Sequence, residues 1–108
     1  MSKYLFLFGW RGETVAGFIK EPSDREAAMR ELLQEAGGDL ECLYFMFGQH
    51  DGLAIVELPD SSSAAAAAMS IAGTGAYSHF ETHELISPAD ITGILKKAGS
   101  LHFRPPGG

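Results

Sequence analysis

Residues 43–60, LYFMFGQHDGLAIVELPD, constrain the fold more than any other part of the chain. Two apolar runs, 43–47 and 53–58, flank Gly48-Gln49-His50-Asp51-Gly52, where glycine supplies the backbone freedom that a chain reversal needs. A connection this short makes the two runs antiparallel neighbours, so a β-hairpin is expected. Pro59 ends the second strand, and Asp60 behind it is placed to cap a helix.

The remaining elements fall on either side of this hairpin. Residues 3–9 are rich in β-formers and apolar on both parities, which predicts a central strand covered on both faces. Over 10–20, Gly12 and Gly17 weaken the helical spacing of Val15, Phe18 and Ile19, so a loop with a short helical turn is expected. Ser23-Asp24-Arg25-Glu26 has the form of a capping box, opening a helix with the stripe Ala28, Met29, Leu32, Leu33 and Ala36. Gly37-Gly38 closes it. Strand two then spans 39–47 and strand three 53–58. The alanine-rich run after Asp60 reads as a short packed helix stopped by Gly73-Thr74-Gly75. Residues 77–86 read as an edge strand. Ser87-Pro88-Ala89-Asp90 starts a last helix to about Ala98, with Ile91, Ile94, Leu95 and Ala98 as its buried stripe. Residues 1–98 form one domain in this reading, and 99–108 a mobile tail with little to bury.

The order strand, helix, strand, strand, helix, strand is that of an α+β, ferredoxin-like βαββαβ sandwich, here with an extra C-terminal helix. Right-handed crossovers place the two main helices on one sheet face and leave the other open. In one assignment Leu5 and Leu7 face the helices, so that Tyr4, Phe6 and Phe8 share the open face and call for a partner: a homodimer. Gly48-x-x-Asp51, Glu57-x-Pro59-Asp60 and Gly73-x-Gly75 resemble the pattern of the GYD-domain family of bacterial proteins, over most of the chain. The resemblance implies a dimeric α/β barrel, in which two sheets meet face to face around a cavity, and no particular activity. His50 departs from it, standing where the family usually carries an aromatic residue such as Tyr.

Charge narrows the partners. Fourteen acidic against eight basic residues leave a formal charge of −6, the wrong sign for neutralising phosphates or docking on anionic lipid. Nucleic acid and membrane are therefore not expected as partners. The aromatic N-terminal run lacks the form of a signal peptide, and the single Cys42 reads as a small buried hydrophobe, both in keeping with a cytoplasmic protein.

The chemistry-bearing candidates are few. Asp51 either bonds turn amides or projects over the sheet on the parity of Leu53, Ile55 and Glu57. Glu57 is a lone carboxylate in an apolar strand, at a solvated end or partly buried as an acid or base. His79, Glu81 and His83 alternate along one strand and share a face. His79 and His83 lie roughly 13 Å apart along it, too far to share a metal, so the expected reading is a solvated edge with no metal site. His50 and His102 read as solvent-exposed. Catalytic candidates are thus Asp51, Glu57, His79 and His83. A ligand site would use Tyr4, Phe6, Phe8, Asp51, Ile55 and Glu57, without a cofactor. Phosphate-loop, Cys-x-x-Cys, His-Glu-x-x-His and Gly-x-Ser-x-Gly motifs are missing. A small-molecule binding or sensing module in a homodimer cavity comes first. A cofactor-independent oxygenase, isomerase or haem-handling enzyme follows by fold analogy, and a purely structural assembly domain comes last.

Overall fold

The computed structural model describes residues 1–107. Its elements run β1 (Ser2–Trp10), α1 (Gly12–Lys20), α2 (Arg25–Glu35), β2 (Asp39–Phe45), β3 (Gly52–Leu58), α3 (Ser61–Ala72), β4 (Tyr77–Leu85) and α4 (Pro88–Gly99). The strands form one antiparallel sheet in the order β2-β3-β1-β4, so the hairpin pairs β2 with β3 and β4 is an edge. The fold is α+β and ferredoxin-like, as the element order implies.

Local chemistry sets most boundaries. Asp24, Asp60 and Ser87 cap α2, α3 and α4, accepting from the backbone N–H of Ala27, Ser63 and Asp90. The cap of α2 is thus Asp24, one residue later than the capping box implied. At its other end Gly37 takes φ +88°, with Gly37 N–H bonded to Gln34 O and Gly38 N–H to Leu33 O. This paired closure depends on a residue free to adopt the left-handed conformation.

The core lies between the sheet and α2 and α3. Phe6, Leu33, Ala54, Val56 and Leu58 are fully buried, with Tyr4, Met29, Leu40, Ala64, Ala67 and Ile71 around them. Phe8 stacks on Phe80 at 5.9 Å, and Phe6 meets Phe80 at 5.0 Å. The aromatic residues of β1 therefore face the helices, and the parity inferred from sequence is reversed. A strand that is apolar on both parities carries no signal for either face. Volume decides it, because the alanine-lined face of α3 leaves room for large rings from the sheet.

Three further expectations change. Residues 12–20 form a full helix, since Gly12 stands at its first position and Phe18 packs edge-on against Trp10 at 4.9 Å. Thr14 Oγ1 also donates to Ala76 O at 2.6 Å, tying α1 to the loop before β4. β2 stops at Phe45, leaving Phe47 fully exposed. The stripe of α4 is not buried: Ile94 and Leu95 are exposed, Ile91 is half-buried, and the helix contributes no buried residue. Residues 100–107 are exposed; Gly108, at the end of the expected tail, lies outside the described residues.

Candidate functional site

Residues directly opposite in a ladder project to the same side of a sheet. Leu5 pairs with Ile55 and His83, Leu7 with Leu53 and Glu81, and Gly9 with His79. On the other side of β3, Cys42 pairs with Ile55 and Tyr44 with Leu53. The face away from α2 and α3 therefore carries a central aliphatic patch of Leu5, Leu7, Leu53 and Ile55, all half-buried. Cys42 and Tyr44 border it along β2, and His79, Glu81 and His83 along β4.

The two ends of this face differ chemically. At one end Lys3 sits between Glu41, with which it is hydrogen-bonded, and Glu57 at 3.9 Å. The Glu41 hydrogen bond and charge, aided by Glu57, hold the Lys3 ammonium above its ordinary value. Glu57 is thus half of a loose exposed ion pair at a strand end, the solvated alternative of the two weighed from sequence.

At the other end the hairpin loop folds over β1. Asp51 N–H donates to Phe8 O at 2.8 Å, and the Asp51 carboxylate accepts from Trp10 N–H at 2.7 Å. Asp51 O accepts from Met46 N–H at 2.8 Å, closing the loop on itself. Asp51 is therefore a strut between loop and sheet, and its carboxylate is engaged by a backbone amide of β1 instead of those of its own turn. This strut sets His50 beside β4, where its Nδ1 lies 2.9 Å from His79 Nε2. His50 Nε2 stands 3.9 Å from Glu81 Oε2. Ser78 Oγ contacts His79 Nδ1 at 3.1 Å, and His83 Nε2 contacts Glu81 Oε1 at 3.0 Å. His50, expected to be solvated, keeps only 21% of its side chain exposed.

Glycine makes this convergence possible. A Cβ on Gly9 would lie 2.2 Å from His79 Cε1 and 2.7 Å from its Nδ1, so only glycine at this position lets the His79 ring rest across β1. Of the residues proposed from sequence, Asp51, Ile55, Glu57, His79 and His83 lie on or beside the open face, whereas Tyr4, Phe6 and Phe8 belong to the core. Sequence reasoning did not place His50, Leu5 or Leu7 in the site. The glycine within an apolar strand was the available signal for a close approach.

A concavity of about 350 Å³ opens on the helix side, lined by Trp10, Phe18, Met29, Leu32, Phe45 and Tyr77 among others. The guanidinium of Arg25, another lining residue, lies 5.6 Å above the Phe18 ring. Trp10 Nε1 is buried and has no hydrogen-bond partner among the described residues.

A profile of the GYD domain matches residues 4–95. The chain belongs to the GYD-domain family. The crystal structure of TTHA0845 from Thermus thermophilus is similar in fold, with a TM-score of 0.53 and 20% identity. The alignment covers 81% of this chain and 95% of that one. No curated protein matches the sequence. Among the described residues of this GYD-domain chain, no helix is long and apolar enough to cross a membrane.

Proposed function

We propose that this GYD-domain protein is a small-molecule binding or sensing module, whose cavity closes when the open sheet faces of two copies meet. The observation that carries this reading is the patch of Leu5, Leu7, Leu53 and Ile55. Four large aliphatic side chains in register on a face without a helical cover favour a partner surface. Burying apolar surface stabilises association by roughly 25 cal/mol per Å², and a second identical face offers matching apolar area. The polar groups lie at the two ends of the patch and along its β4 border, where they would orient a ligand held between the sheets. Exposed Ile94 and Leu95 on α4 offer further apolar area to the same partner.

Native mass spectrometry of the untagged protein tests the assembly and reports any retained ligand. A dimer mass that collapses to the monomer in a Leu7→Asp variant supports the reading; a wild-type protein that is monomeric at micromolar concentration overturns it. The helix-side concavity supports a second reading, because it is preformed within one chain and lined by aromatic groups. Trp10 is the only tryptophan, so its fluorescence separates the two. A ligand in the concavity shifts the emission, whereas one on the open face leaves it unchanged.

A further inference from the structure

We propose that His50, His79 and Glu81 bind a divalent transition-metal ion at the edge of the open sheet face. Each residue offers one donor atom, and the three atoms lie within 4.8 Å of one another. An ion with ligands at about 2.0–2.2 Å holds tetrahedral donors roughly 3.4 Å apart. The 2.9 Å between His50 Nδ1 and His79 Nε2 is close to that spacing, and rotation of the half-exposed Glu81 side chain completes the set. Imidazole and carboxylate donors suit zinc, iron or cobalt in the divalent state, and three protein ligands leave a position for water or a ligand oxygen.

The surroundings are those of a supported site. Ser78 Oγ contacts the distal nitrogen of His79 and fixes that ligand from behind, and His83 contacts the second carboxylate oxygen of Glu81. Gly9 clears the space that the His79 ring occupies. Asp51 anchors the loop that delivers His50, which makes it a positioning residue. The formal charge of −6 favours cation capture. Glu81 lies directly across the ladder from Leu7, so the open coordination position adjoins the aliphatic patch. A ligand with an oxygen donor at one end and an apolar body would meet both.

The site lies within one chain and does not depend on dimer formation. The test uses untagged protein, stripped with a chelator, dialysed and titrated with Zn²⁺ by calorimetry and with Co²⁺ by visible absorption. The expected result is one ion per chain, with Co²⁺ ligand-field bands. His50→Tyr and His79→Gln should each abolish saturable binding while circular dichroism shows the fold intact. His83→Ala should weaken binding about 10–100-fold, the usual loss when a group behind a metal ligand is removed. His102→Ala should leave it unchanged. Retained binding in a monomeric Ile55→Asp variant, altered on β3 and not across the ladder from Glu81, separates this site from the assembly. Absence of saturable Zn²⁺ binding, or wild-type affinity in His50→Tyr, overturns the proposal.

Discussion

Phe6 and Leu7 are neighbours in sequence and opposites in the structure, which makes them a test of the sheet's orientation. Phe6 is fully buried between the sheet and the helices and packs on Phe80 at 5.0 Å. Truncation to alanine removes a whole ring from a close-packed site, and such changes cost about 3–5 kcal/mol. A domain of this size is stable by about 5–15 kcal/mol, so a large share of the total is at stake. At roughly 4 °C or more per kcal/mol, the melting temperature should fall by at least about 12 °C. Leu7 is only half-buried and lies on the face away from α2 and α3, so Leu7→Ala should cost on the order of 1 kcal/mol in the monomer. Its larger effect should appear as weaker self-association. Urea unfolding at nanomolar concentration reads the first quantity, and sedimentation across a concentration series reads the second. A Phe6→Ala variant within about 1 kcal/mol of wild type, or a dilute Leu7→Ala variant as damaged as Phe6→Ala, would show that the faces are assigned the wrong way round.

The first long helix offers a similar contrast. Leu33→Ala, at a fully buried position, should destabilise the fold by about 2–5 kcal/mol, and Leu32→Ala, which lines the helix-side concavity and is half-buried, should cost clearly less by denaturant midpoint. At low pH, the bonds from Ser63 hold the Asp60 carboxyl below its ordinary value near 3.8, so its contribution to the start of α3 is complete above that value and lost as pH falls through the folded one. Asp60→Asn should therefore flatten the stability profile below about pH 4 in acid-unfolding curves monitored by circular dichroism, and an unchanged profile would exclude the cap as its source.

Those features that depend on neighbouring residues were legible in the sequence. Asp60 and Ser87 cap the helices they precede, Gly37-Gly38 closes α2, and the glycine-flanked loop joins two antiparallel strands, because each acts within a few residues of itself. The element order then constrained the sheet to a ferredoxin-like arrangement, although Gly12 and Gly17 concealed α1 until Phe18 found Trp10. Tertiary structure decided the rest. β1 is apolar on both parities, so the choice of buried face rested on which side chains α2 and α3 leave room for. The apolar stripe of α4 fits a buried helix by pattern alone, yet burial depends on a surface to pack against. His50 and His79 stand 29 residues apart, and neither carries a local mark of the other. They meet because β1 pairs with both β3 and β4, because Asp51 fastens the hairpin loop to Trp10, and because Gly9 has no Cβ. Separations of that kind are closed only by the whole sheet.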